Sequence, residues 1–523
     1  NSLKFSNGGT LTLTTGSLQM TSGGILAEGA ASSSIGGGTL WVGTPNSDLV
    51  VNQFSSGALT INSAILNNGT TSLTKNGFGT LILGGNNLFS GPLYLNQGVL
   101  SISGTQNLGA ANSTGALNFF GGTLAITSGT SISASRSVYL GGAGGSFQVG
   151  AGTSATIAGT ISGTGDLYTT GAGMLVLGGN NLFSGSLYLN QGILSISGAQ
   201  NLGTGSGSLN FFGGTLAITG GTSISASRNV YLGASGGSIQ IGAGISATIA
   251  GIISGSGDFY KTSAGTLVLS GSNTFTGTLN VNAGSVSISS VSNVGNGSLI
   301  LNTGTLFFTA GLSVPTGTIR LTSGGGYIGL GSGADSTFGG TITGAGSFTS
   351  FGSAALTLDG ASNFAGGTTV ASGTLQIGSG SNTGSILGNI TVNSGALLAY
   401  NRSDNSGGPM ASTISGAGSL QVSAGSLTLS GTNSYGSTVL KSGTLSIAGT
   451  AALGTGSLYF SGGTLQLTSG TTLTVQSYLT GGGGTLDVTG TNTLTISSVI
   501  AGTGSLTKSS NGTLSLTVRI HRS

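Results

Sequence analysis

Apolar residues in this chain come at alternate positions, in bursts of about three to five residues, and each burst stops at glycine or a small polar residue. Leu93-Tyr94-Leu95, Leu100-Ser101-Ile102-Ser103, Leu124-Ala125-Ile126 and Leu427-Thr428-Leu429 are examples. A period of two sends one set of side chains inward and the other outward, so each burst predicts a short β-strand. The interruptions are Gly-Gly, Asn-Gly, Ser-Gly and Gly-Thr, which supply positive φ or a tight turn at little steric cost. No stretch repeats apolar residues at helical spacing, and Glu28 is the only glutamate. Strands this short, with so many turns, do not suit a sandwich. They fit a parallel β-helix, in which each coil gives two or three strands and each strand pairs with its counterpart one coil away.

Residues 81–109 and 175–203 are nearly the same text, and NFFGGTLAIT recurs at 118–127 and 210–219. The offset is 94 residues at the first pair and 92 at the second. A long repeat whose loops absorb small insertions marks an array of stacked units. Looser copies begin near Leu267, Leu356 and Leu427, and a broken one at Leu514. The expected organisation is one continuous β-solenoid over 1–523, with long repeats near 81–174, 175–266, 267–355, 356–426 and 427–513. Residues 517–523 form an atypical tail. At roughly 22 residues per coil and ~4.8 Å between stacked strands, about two dozen coils would make a rod on the order of 110 Å long.

Glycine makes up 106 of 523 residues, a level that would suggest disorder if apolar residues were scarce. They are 37% of the chain and regularly clustered, so order is expected. Only 4% of residues are charged, and the net charge of +3 is spread thinly. Lys75, Arg136, Arg228, Lys261, Arg320 and Arg402 stand apart, without the clustering that phosphate neutralisation needs, which argues against nucleic acid. The absence of cysteine excludes disulfides and thiolate metal sites. No apolar run approaches the length of a transmembrane helix, and no signal peptide is visible at Asn1.

The repeated cassette reads Gly265-Thr266-Leu267-Val268-Leu269-Ser270-Gly271 and then Ser272-Asn273-Thr274-Phe275-Thr276-Gly277. It is opened by Gly257-Asp258-Phe259-Tyr260-Lys261. Closing elements follow, as at Gly98-Val99-Leu100 with Leu108-Gly109 and at Gly443-Thr444-Leu445 with Leu453-Gly454. This cassette resembles the passenger-associated transport repeat of bacterial autotransporter proteins. The opening departs from the family pattern at Thr169, where lysine is expected, and the fourth copy has Ala355 in place of threonine. The resemblance implies an all-β, right-handed parallel β-helix, exported to the cell surface or beyond through an outer-membrane barrel outside this sequence.

Asn87, Asn181, Asn273, Asn363 and Asn433 recur at the cassette turn, where an amide can bond turn backbone. Phe89, Phe183, Phe275, Phe364 and Tyr435 follow one or two residues later. They are expected to stack in the core or at a corner, with a carbohydrate platform as the alternative. Arg136 and Arg228 match each other in Ser-Ala-Ser-Arg and read as solvated charges inherited by duplication, with a grip on carboxylates or sulfates as the alternative. Asp166 and Asp258 also match, and a spacing of about four coils would set them ~19 Å apart on one face, too far to act on one bond. Asp487 beside the glycine run at 481–484 is a single aspartate, where calcium-binding nonapeptides need arrays. Thr10, Thr12 and Thr14 alternate with leucine, but the pattern does not recur coil by coil as an ice-binding surface requires. The one histidine, His521, rules out a triad or a multi-histidine metal site.

No enzyme, cofactor or metal is therefore expected. The reading is a surface-exposed stalk or adhesin-type passenger that contacts cell-surface glycan or protein through its exterior. The alternative is a self-associating subunit of an extracellular filament or sheath, and a polysaccharide-acting enzyme ranks third.

Overall fold

The computed structural model describes residues 2–21, 24–404, 409–410, 412–518 and 520–521, excepting the side chains at 15, 409–410 and 520–521. His521 and most of the atypical tail thus lie outside the described side chains. The described residues form a parallel β-solenoid of about 23 turns, all-β as the alternation predicts, and helix is limited to four short 3₁₀ turns. Contacts divide the chain into two compact units, Asn1–Gly277 and Thr278–Ser523.

In the first unit each strand pairs in parallel with the next one in its sheet. Leu93–Leu95 pairs with Leu117–Phe119, that with Val138–Leu140, and that with Ile161–Gly163. Leu93, Leu117, Val138 and Ile161 fall in register and are fully buried, a file of apolar side chains running along the interior. Each such burial is worth roughly 1.5–3 kcal/mol. One turn takes 20 residues where Leu167 pairs with Leu187 and 24 where Leu93 pairs with Leu117. The second unit repeats the scheme. Ser419–Ala424, Thr438–Leu440, Leu458–Phe460, Ser477–Leu479 and Ile500–Gly502 stack in that order.

The glycines of the cassette opening are demanded by sterics. Gly163 has φ +109°, and a Cβ there would sit 2.0 Å from the Leu140 carbonyl oxygen. A Cβ on Gly165 would sit 1.9 Å from the carbonyl oxygen of Gly141, one coil below. Only a residue without a side chain lets the two backbones approach this closely.

The long repeat does not return to the face it started from. In the first copy Leu117–Phe119 and Val138–Leu140 share a sheet with Leu93–Leu95. Their second-copy counterparts, Leu209–Phe211 and Val230–Leu232, belong to another sheet, the one holding Thr123–Ile126, Leu167–Thr170 and Leu187–Leu189. Each copy of 92 to 94 residues is therefore a whole number of turns plus one face. This corrects the expectation that Asp166 and Asp258 share a face. Asp166 precedes Leu167–Thr170, whereas Asp258 precedes Phe259–Thr262, which stacks in the sheet of Met174–Leu177 and Thr215–Ile218.

Candidate interaction surface

The alternation decides which side chains can meet another molecule, and it removes several candidates from consideration. Phe89, Phe183, Phe275, Phe364 and Tyr435 are all buried. They pack inside the solenoid and offer no platform to a ligand; Phe275, for instance, meets Phe259 edge-on at 6.3 Å. Burial raises the pKa of the Tyr435 phenol, whose hydroxyl pairs with Thr438 at 3.1 Å.

Asn87, Asn181, Asn273 and Asn433 are buried beside them. The side-chain oxygen accepts from the backbone N–H of Ile65, Ile161, Ile253 and Ile414 respectively, at 2.7 to 2.9 Å. The amide nitrogens of Asn87, Asn181 and Asn433 donate upward to the carbonyls of Asn107, Asn201 and Ala452. In the fourth copy this slot belongs to Ser362, whose hydroxyl accepts from Ile342 N–H at 3.2 Å. Asn363 is exposed on the short strand Asn363–Phe364, so its assignment to the turn slot is corrected. A second set of buried asparagines, Asn107, Asn201 and Asn293, was missed by sequence reasoning although the first two sit in a repeated Gln-Asn-Leu-Gly. Each accepts two backbone N–H groups at a 3₁₀ turn, as Asn107 does from Ser103 and Gly104.

The isolated cations also turn inward. Lys75, Arg136, Arg228, Lys261 and Arg402 are buried, and of the six that stand apart along the sequence only Arg320 is exposed. Lys75 Nζ donates to the carbonyls of Asn76, Gly77 and Gln97 at 2.9, 2.6 and 3.1 Å. Burial pushes its pKa down to about 8, and that of Lys261 likewise. Arg228 donates to the carbonyls of Gly205 and Gly207. Arg402 pairs with Asp404 at 2.9 Å, and that bond raises its pKa. The reading of Arg136 and Arg228 as solvated charges is thereby overturned. A cation can stay inside because turn carbonyls at the corners need donors that the strand ladders do not supply.

What remains outside is mostly hydroxyl, amide and aromatic. On one sheet of the first unit Thr123, Ser146, Tyr168, Tyr188, Asn210, Tyr231 and Ser254 fall in register, one per turn. Tyr168 and Tyr188 stack at 4.6 Å with ring planes 15° apart. Asn210 is buried, and Phe212, just past its strand, takes its place in the row. Phe212 meets Tyr188 at 6.3 Å and Tyr231 at 6.1 Å, the latter tilted by 54°. The first copy repeats the last pair as Phe120 and Tyr139, 6.1 Å apart and tilted by 56°, on its own sheet. These four residues are 39 to 43% exposed. The phenylalanines rest on glycine of the next turn, since a Cβ on Gly233 would lie 2.4 Å from the Phe212 ring and one on Gly141 2.4 Å from Phe120.

Tyr168 and Tyr188 cover each other's faces, so they offer edges and hydroxyls. The tilted pairs leave ring surface open. The Tyr168 hydroxyl reaches Asp166 at 3.4 Å, and burial, then the Asp166 carboxylate, raises its pKa. Among the described residues no three histidine or acidic side chains gather as a metal site, and no helix is long and apolar enough to cross a membrane.

A family model described as the passenger-associated transport repeat matches residues 73–102, 167–196, 259–288, 348–377 and 421–447. The adhesin BmaC autotransporter of Brucella suis biovar 1 (strain 1330) is 34% identical over 278 residues, covering 49% of this chain and 8% of that protein. The chain thus spans less than a tenth of that relative's length.

Proposed function

From a chain that carries passenger-associated transport repeats on a parallel β-solenoid, and that lies at the cell surface or outside the cell, we propose an adhesin-type role exercised through the exterior of the solenoid. The observation that carries this reading is the outward aromatic row of half-buried Tyr168 and Tyr188 and exposed Phe212 and Tyr231, on a face with little charge. Aromatic side chains give large contact area at low entropic cost, and the phenols add hydrogen bonding. The open rings of the tilted pairs suit sugar C–H groups or apolar protein side chains. The relative from Brucella suis is named as an adhesin, which agrees with this role. Chemistry is not proposed, because the matched aspartates stand on different sheets.

The purified chain, applied to cell monolayers and to a glycan panel, is expected to bind as a dispersed species. Its binding should change little as salt is raised, because exposed charge contributes little to the contact. Binding that collapses with salt, or ordered filaments with no binding, would overturn the proposal in favour of an electrostatic or self-assembling role.

A further inference from the structure

The two near-identical copies differ at one corner. Between Gly109 and Leu117 the first copy runs Ala-Ala-Asn-Ser-Thr-Gly-Ala, two residues longer than Thr-Gly-Ser-Gly-Ser between Gly203 and Leu209. In the second copy the buried Arg228 guanidinium is occupied by the carbonyls of Gly203, Gly205 and Gly207. In the first, the matching Arg136 keeps a single acceptor, the Leu108 carbonyl at 2.8 Å. Its Nε and Nη2 are buried without an acceptor, although the residue is only 5% exposed.

The same side chain lines a cavity of about 30 Å³ together with Thr105, Ser133, Leu108, Ala110 and Ile132. No carboxylate lines it. A buried cation with unfilled donors is costly unless something negative meets it. We propose that this corner binds a monatomic anion, chloride in its natural setting, held by Arg136 Nε–H and Nη2–H. The volume holds roughly one or two water-sized bodies, which favours a monatomic ion over a sugar carboxylate. The aliphatic walls of Leu108, Ala110 and Ile132 suit a large, weakly hydrated ion. A ligand that binds only the folded corner stabilises it by mass action.

The test is thermal unfolding of the full chain at constant ionic strength, with chloride or bromide replacing gluconate, alongside crystals grown in bromide. A saturable rise in Tm of a few degrees is expected with either halide and is lost in Arg136→Met. Anomalous scattering should place bromide within hydrogen-bond distance of the guanidinium. A Tm set by ionic strength alone, an unchanged halide response in Arg136→Met, or a cavity without bromide would overturn the proposal. Should Arg136→Met fail to fold, the bromide position in the wild-type chain decides.

Discussion

Asn181 and Asn201 clamp neighbouring turns reciprocally. Nδ2 of Asn181 donates to the Asn201 carbonyl at 2.6 Å, while Nδ2 of Asn201 donates back to the carbonyl of Gly179 at 3.0 Å. Asn181 also accepts from Ile161 N–H at 2.8 Å, so one side chain ties three turns together. Both are buried, where an unmade hydrogen bond costs far more than a made one gains.

Asn181→Ala should therefore destabilise the surrounding turns by about 2–4 kcal/mol, leaving a buried N–H and a buried C=O unpaired. Asn363→Ala, at an exposed position, should change stability by less than about 0.5 kcal/mol. Ser362→Ala should fall between them. Amide hydrogen exchange at Ile161 and Ile342 measures the three directly.

Gly165→Ala places a methyl group against the Gly141 carbonyl, where a Cβ has only 1.9 Å. The strands on either side must separate, and in a fold stabilised by nearest-neighbour contacts the damage should stay local. Limited proteolysis is expected to cut near residues 140–170 in this variant and not in the wild type.

Lys75 makes stability depend on pH in an unusual direction. Its folded pKa is pushed down to about 8 by burial, below the ordinary 10.5. Below pH 8 the folded and unfolded chains both hold the proton, so stability is flat and carries the cost of a buried charge. Between about pH 8 and 10.5 the unfolded chain binds more protons, and stability rises with pH by up to about 1.4 kcal/mol per unit. Denaturant midpoints measured from pH 7.5 to 10 should climb in the wild type and climb less in Lys75→Met. That variant should be less stable at every pH, since three carbonyls lose their donor.

The strands were legible because alternation and glycine are both local signals, and a parallel solenoid needs little else. The turn slot in the fourth copy was misread by matching residue type. The constant feature is a spacing of two before the buried ring, kept by Asn87 and Phe89, by Asn433 and Tyr435, and by Ser362 and Phe364. The buried lysine was legible in principle, since Leu73 and Lys75 share a parity and hence a side of the strand. So were Phe120 and Phe212, because adjacent phenylalanines in Asn-Phe-Phe-Gly cannot both face inward at a period of two. The rotation of each copy by one face was not legible. It depends on how many residues each turn spends at its corners, which backbone geometry decides and composition does not.

The central claim is that the aromatic row makes the adhesive contact, and the most direct measurement compares cell binding of the wild-type chain with Tyr188→Ser/Tyr231→Ser. Arg320→Ala, which removes an exposed cation, serves as the control. Circular dichroism should show all three folded alike, since the tyrosines point outward. A loss of tenfold or more in the double variant, with Arg320→Ala unchanged, is the predicted result. Equal binding by the double variant and the wild type would contradict the account and move the contact to another face.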